Sequence, residues 1–460
     1  MSLTRNEFAN LFVALAIILI SAHVGAQLCA RLRQPPVIGE ILGGLLLGPT
    51  VFGAVAPGVA GHLFPATGTV HSGLQVLNEF GLLLLMFLAG REVVTYRNPG
   101  RQRTVAALAA AGLIIPMVLG VAAGLALDHD DYSGSHGTKA TFALIFGIAF
   151  AVTSIPVISR IMLDLGLLNT SFARIVLAVA LLEDVVLYVA LAVTFALVQT
   201  KNGQTFGFAA WLELDGAAAI TYQVVVSLLF IGVLLLAGKQ VFHRLATSRA
   251  NLMEKGNPVA FRLVFAIAVV LACVFLGINA VFGALLAGIA SSDAGTPLDR
   301  PDAEPAPGVR AGDTIKQFSL AFFIPIYFAG VGMQLDLARN FDIVFFVIFF
   351  LTATAVKAFS VWAAARAVGE TNHDAKNFAV ALNARGGPGI VLATVTLSAG
   401  LINEKFFTSI VVLSIVTSAM AGMWLERAFP AHRRGPLDPA EPSPATDSNH
   451  VKRVEEVPEP

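Results

Sequence analysis

Long apolar runs, separated by short polar stretches, set the pattern of the chain from about residue 10 to residue 424. About 20 apolar residues in a helix cross the ~30 Å hydrocarbon core of a bilayer. By that measure the pattern predicts about thirteen spans, over 10–30, 37–53, 77–94, 105–127, 140–163, 171–199, 217–242, 261–276, 280–291, 315–333, 342–365, 378–399 and 406–424. The runs 37–53 and 280–291 are short and interrupted by glycine, which permits close helix packing in lipid. Residues 57–72, 201–215 and 292–313 read as loops. From residue 428 the chain is proline-rich, charged and poor in large apolar residues, which predicts a disordered tail over 428–460 behind a transmembrane unit over 1–427. The first apolar run lacks a basic stretch directly before it and a clear cleavage site, so it is expected to be a retained helix.

Composition agrees with that pattern. Hydrophobic residues make up 56% and charged residues 13% of the chain, and the mean hydropathy is +0.76. Soluble domains carry about 25% charged residues. The formal net charge is zero, so nothing points to nucleic acid as a partner. The two cysteines, Cys29 and Cys273, both lie in apolar runs and support neither a disulfide framework nor a zinc site. The remaining charges are unevenly placed. Loops after odd-numbered spans, with the start of the tail, hold roughly twenty Lys and Arg, against about five (Arg5, Lys139, Lys201, Arg339 and Lys405) on the other side. The positive-inside rule then places the C-terminus in the cytoplasm and the N-terminus outside, in the plasma (inner) membrane of a cell.

A few ionisable residues fall deep inside spans. The run Ser171 to Gln199 carries Glu183 and Asp184 at its centre. A charge there costs about 2.5–3.5 kcal/mol on insertion scales, and such residues normally face a bundle interior or a wet cavity. Lys357 sits near the middle of the eleventh run, and a lone lysine at that depth normally has a partner, here Glu183 or Asp184. Two runs also carry helix breakers. The fifth contains Thr153-Ser154-Ile155-Pro156, and the twelfth contains Arg385 followed by Gly386-Gly387-Pro388-Gly389. Paired interrupted helices in two halves of a chain mark inverted repeats with a site near the midplane. Hydroxyls and freed carbonyls at such breaks, Thr153 and Ser154 here, are oxygen ligands suited to an alkali cation. Adjacent residues on a helix point about 100° apart, so Glu183 and Asp184 cannot share one role. One can bind the ion while the other meets Lys357. Removal from water disfavours the charged form of an ionisable group, so a carboxylate here can trade a proton for a metal cation.

At this point the residues resemble a known family. VIGEILGGLLLGPTVFG, FGLLLLMFLAGREV, TSIPVISRIMLDLGLLNTSFARIVLAVALLEDV, FIPIYFAGVGMQLDL and ALNARGGPGIVLATVTLSAGLI, in that order, are similar to the monovalent cation:proton antiporters, in the branch of bacterial Kef-type and sodium/proton exchangers. The resemblance covers about residues 10–424. It implies an all-α fold of thirteen helices with inverted repeats, a homodimer formed through a dimerisation domain, an ion-carrying core domain and elevator-like exchange. By position, Asp184 matches the ion-binding aspartate, Glu183 the residue before it, Lys357 the core lysine, Thr153 and Ser154 the first break, and Arg385 the arginine before the second. Glu at position 183 departs from the usual Asp, Asn or Gln. The tail carries too little apolar content to fold as a nucleotide-binding regulatory domain.

The expected function is therefore secondary antiport of Na⁺ or K⁺ against H⁺, with no cofactor and no enzymatic activity. Lys357 paired with one carboxylate leaves the other to alternate between proton and cation. If the lysine also gives up its proton when the cation enters, two protons move per cation and exchange is electrogenic. The alternatives are weaker. A cation channel would want a filter of the TVGYG kind, which is absent. An intramembrane aspartyl protease needs two carboxylates facing each other across a site, and Asp184 is the one aspartate deep within a span. Anion-coupled uptake would want more buried cations than Lys357 and Arg385.

Overall fold

The computed structural model describes residues 4–32, 34–92, 101–167, 170–199, 216–248, 251–278, 280–292 and 307–429. The expected loop over 201–215, most of the loop over 292–313 and nearly all of the tail lie outside the described residues. The described chain is all-α. Its helices are α1 (Arg5–Arg31), α2 (Pro36–Leu47), α3 (Phe52–Val55), α4 (Pro57–Leu63), α5 (Thr69–Glu92), α6 (Gln102–Ala126), α7 (Lys139–Ala151), α8 (Ile155–Asp164), α9 (Ser171–Gln199), α10 (Gly216–Thr247), α11 (Leu252–Gly256), α12 (Pro258–Phe275), α13 (Ala280–Ala290), α14 (Pro307–Phe318), α15 (Ile324–Met333), α16 (Ile343–Ala367), α17 (Asn372–Ala381), α18 (Gly386–Ser398) and α19 (Glu404–Ala428). An isolated antiparallel bridge between Ser133 and Ile402 is the extent of β-structure among the described residues.

Ten segments of the described residues are long and apolar enough to cross a membrane; α7 and α13 are apolar but shorter. Several boundaries differ from the sequence reading. The stretch expected as a loop over 57–72 contains α4 and the start of α5. The polar residues His71, Ser72 and Gln75 lower the hydropathy of that first part of α5 without breaking the helix. The tenth run is not one regular helix but α14, a π-helical turn over Ser319–Phe323, and α15. Pro325 accounts for the irregularity. It has no N–H to offer the carbonyl four residues back, at Ala321. The His23 ring nitrogen donates to that carbonyl instead, at 2.9 Å, so the wider turn persists with the Ala321 carbonyl satisfied.

The helices pack as two groups. In one, α1 lies on α2, α15 packs on α1, α2 and α5, and α13 packs on α5, α10 and α12. Glycine sets the closest crossing there: a Cβ on Gly44 would land on the Ala329 backbone, and one on Gly332 on the Ile41 carbonyl. Where lipid supplies no hydrophobic drive between helices, such close backbone approach supplies the packing energy. In the other group, α6 packs on α7, α9 and α16, α16 packs on α17, and α18 and α19 pack on each other and on α8. Helices α9 and α10 join the groups. So does a hydrogen bond from the Tyr327 hydroxyl on α15 to Thr394 on α18, 3.4 Å long.

The two broken helices belong to the second group. The chain is non-helical at Val152–Ser154, between α7 and α8, and at Leu382–Arg385, between α17 and α18. The first break includes Thr153 and Ser154 as the sequence placed it, but begins at Val152, and Ile155 and Pro156 already lie in α8. The second lies elsewhere: Gly386–Gly389 form the first turn of α18, and the unwound residues precede them. The physical reason is the same at both places. A proline excludes the helical carbonyl four residues upstream, which is Val152 for Pro156 and Ala384 for Pro388. Inside the first turn of the next half-helix the same proline is tolerated, because the missing N–H would have no helical acceptor.

Candidate ion-binding site

Each buried charge at the crossing is set by the local shape of the chain. Helix α7 stops at Ala151, so its last carbonyls have no helical donors. Two cations from the other half of the chain take them. Arg385, completely buried, donates from Nε to Ala149 O at 3.1 Å and from Nη2 to Phe150 O at 3.1 Å and Ala353 O at 2.9 Å. Its Nη1 donates to Asn383 O at 3.3 Å and to the Asn383 side-chain oxygen. That uses all five guanidinium N–H groups. Asn383 is held in turn by donating to Thr354 O at 3.0 Å. Lys357 Nζ donates to Ala151 O and to Glu183 Oε2, the latter at 2.9 Å. A cation at a helix C-terminus is favoured by the partial negative charge of that end, so Arg385 and Lys357 are placed by the same break that creates the site.

The lysine thus meets Glu183, not Asp184, and the pair is fully buried, with both side chains 0% exposed. Glu183 Oε2 has a second neighbour. The Thr153 hydroxyl lies 2.5 Å from it and 2.6 Å from Leu382 O. Its single proton serves one of these acceptors at a time. Glu183 Oε1 points at Gly112 of α6, where a Cβ would collide with it. Asp184 is buried beside Glu183, with 5% of its surface exposed. Asp184 Oδ1 and Glu183 Oε1 make no hydrogen bond to any described residue. Buried carboxylate oxygens without donors are costly, and oxygens of this kind are what a hard cation or a proton takes.

The backbone of the first break adds oxygen to this region. Pro156 has no N–H to give the Val152 carbonyl, and the Val157 N–H goes to Ser154 Oγ at 3.3 Å. Ser154 is also fully buried, but its hydroxyl oxygen accepts from N–H groups at the starts of α8 and α18, the second being Gly387 N–H at 3.1 Å. Of the residues singled out from the sequence, Thr153, Glu183, Lys357 and Arg385 thus converge on the end of α7, with Asp184 next to Glu183 on α9. The Ser154 hydroxyl oxygen is instead taken up by the starts of α8 and α18. The sequence reading missed Thr417 and Ser418 on α19, whose hydroxyls accept from Arg385 N–H at 3.3 Å and Gly386 N–H at 3.1 Å. Adjacent hydroxyl residues inside an apolar run are the one signal that pointed there.

Comparison with known proteins places this architecture. The profile of the family described as sodium/hydrogen exchanger, transmembrane, matches residues 16–430. The Na(+)/H(+) antiporter NhaS4 of Synechocystis is 28% identical over 93% of this chain and 98% of its own length. The Na(+)/H(+)-K(+) antiporter GerN of Bacillus cereus is 24% identical over 91% of this chain and 96% of its own. The K(+)/H(+) antiporter 1 of Saccharomyces cerevisiae is 26% identical over 95% of this chain, which spans 48% of that longer protein. Among solved structures, the sodium proton antiporter MjNhaP1 of Methanocaldococcus jannaschii shares the fold, with a TM-score of 0.56 at 15% identity over 92% of this chain and 97% of its own. The chain is a multi-pass membrane protein and belongs to the sodium/hydrogen exchanger family of transporters.

Proposed function

We propose that the chain exchanges a monovalent cation, Na⁺ or K⁺, for H⁺ at the crossing of α7–α8 with α17–α18, with Asp184 as the group that alternates between proton and cation. The observation that carries this reading is the unequal treatment of the two neighbouring carboxylates. Glu183 is tied to Lys357 and Thr153, while Asp184 Oδ1 has no hydrogen bond to a described residue. Glu183 then balances the lysine, and Asp184 is the carboxylate at liberty to exchange partners. Backbone carbonyls of Val152 and Thr153, left without helical donors by Pro156 and by the Ser154 cap, supply the further oxygens that an alkali cation wants. Arg385 and Lys357 compensate the α7 end and keep negative charge from accumulating in a dry site.

Paired broken helices support alternating access rather than a channel pore. The Lys and Arg asymmetry between loops supports a cytoplasmic C-terminus, and a homodimer is part of the same proposal by likeness to the family. The exchange is read most simply as proton release. Adding an alkali cation to the purified protein in weak buffer is expected to release protons with a saturable dependence on concentration. Thr153→Val removes the donor to Glu183 and Leu382 O, and is expected to raise the half-saturating cation concentration about 5–10-fold, the loss of one buried hydrogen bond. Unchanged half-saturation in this variant would remove Thr153 from the site.

A further inference from the structure

The hydrogen bonds at the start of α18 can be accounted for completely. A helix has four N-terminal N–H groups without helical acceptors. Here Arg385 N–H goes to Thr417 Oγ1, Gly386 N–H to Ser418 Oγ, Gly387 N–H to Ser154 Oγ, and Pro388 has none. Two hydroxyls from α19 and one from the unwound segment before α8 close the end, with no carboxylate involved. Ser154 differs from the other two. The same oxygen accepts from Val157 N–H, so it caps the start of its own half-helix, α8, as well. Its backbone N–H donates to Ala384 O at 2.7 Å, binding the two unwound segments directly. Gly386, at φ +30°, makes room for this approach: a Cβ there would run into Ser154 Oγ and Val157. The two half-helices come from positions more than 200 residues apart in sequence, as the separations of these bonds show.

We propose that Ser154 is a positioning residue: its one hydroxyl oxygen is the shared cap that joins the first turns of α8 and α18, so that the two half-helices shift as one body when the site changes access. This rests on the antiport reading for its consequence but not for its geometry. A cation ligand would present its oxygen to the ion. Ser154 instead turns its oxygen to two helix N-termini, which carry partial positive charge, a poor place for a cation. Because the joint lies between segments and not on the ion, its loss is expected to act on the conformational step more than on binding.

The test compares wild type, Ser154→Ala and Ser154→Cys by backbone amide hydrogen exchange and by cation-driven proton flux in vesicles. Sulfur fills the place of the oxygen, being somewhat larger, but is a weak acceptor, so both variants are expected to lose the shared cap. Amides at Val157 and at Gly387 are expected to exchange about fivefold faster together, as on the loss of a cap. The maximal flux is expected to fall roughly tenfold while the half-saturating cation concentration moves less than threefold. Faster exchange confined to residues 155–158, wild-type behaviour of Ser154→Cys, or a rise in half-saturation at unchanged maximal flux would each overturn the joint. If wild type itself shows no cation-coupled flux, the antiport reading fails, and the exchange pattern still decides whether Ser154 couples the two segments.

Discussion

Asp184→Asn is expected to abolish cation-dependent proton movement while the protein remains folded. The amide is nearly the size of the carboxyl group, so packing around α9 is kept. What changes is chemistry: an amide carries no exchangeable charge, cannot bind and release a proton, and coordinates an alkali cation through a single neutral oxygen. Asp184 Oδ1 makes no hydrogen bond to a described residue, so the substitution strands no known donor. It also leaves the Glu183–Lys357 pair in place. Loss of flux to the level of empty vesicles, with a thermal midpoint close to that of wild type, is the expected result. Normal exchange by the purified variant would assign the alternating carboxylate elsewhere. Glu183→Gln separates the two acids in the same assay, because a residue that balances Lys357 is expected to affect stability as well as transport.

The second large effect is structural. Lys357→Ala removes the ammonium from a fully buried pair and leaves Glu183 with the Thr153 hydroxyl as its donor among the described residues. It also removes the donor to the Ala151 carbonyl at the end of α7. Breaking a buried pair at one partner costs about 3–5 kcal/mol, largely because the other charge is stranded. The expected outcome is a marked fall in thermal midpoint in detergent, with loss of transport. Replacing both partners, as Lys357→Met with Glu183→Gln, strands no charge and is expected to recover most of the stability without recovering normal transport. Equal instability of the single and double variants would mean that the lysine acts mainly through Ala151 and not through Glu183. Lys357→Arg is not expected to substitute, since a planar fork does not reproduce a compact ammonium in a packed site.

Much of this site was legible before any coordinates. Charges in apolar runs are rare enough to announce themselves, and Glu183, Asp184, Lys357 and Arg385 stood out for that reason. The prolines announced the breaks. What hydropathy cannot carry is the partner of each group. Whether Lys357 would meet Glu183 or Asp184 depends on the rotation of α9 about its axis, which a run apolar on every face does not encode. The second break lies upstream of the glycines, because the proline acts four residues back, on Ala384, a displacement that glycine content does not signal. Ser154 was read as a ligand by its neighbour Thr153, yet its hydroxyl is taken up by two helix starts. Thr417 and Ser418 were missed because hydroxyls in an apolar helix usually bond back to their own turn; Thr417 does that too, at 2.8 Å to Leu413 O. In the fold at large, the regular spans were predicted well, while the π-helical turn at Ser319–Phe323 needed the His23 contact to become intelligible.

Exchange itself is tested most directly with the purified protein in sealed vesicles carrying a pH gradient and an internal pH indicator. The gradient is challenged with Na⁺, K⁺ and Li⁺ separately, with the membrane potential clamped at several values. Saturable proton movement driven by at least one of these cations, reversing when the cation gradient is reversed and absent in Asp184→Asn, is the predicted result. A rate that also depends on the clamped potential would favour two protons per cation. Proton movement indifferent to all three cations, or cation flux that proceeds with no proton moving in return, would contradict the account.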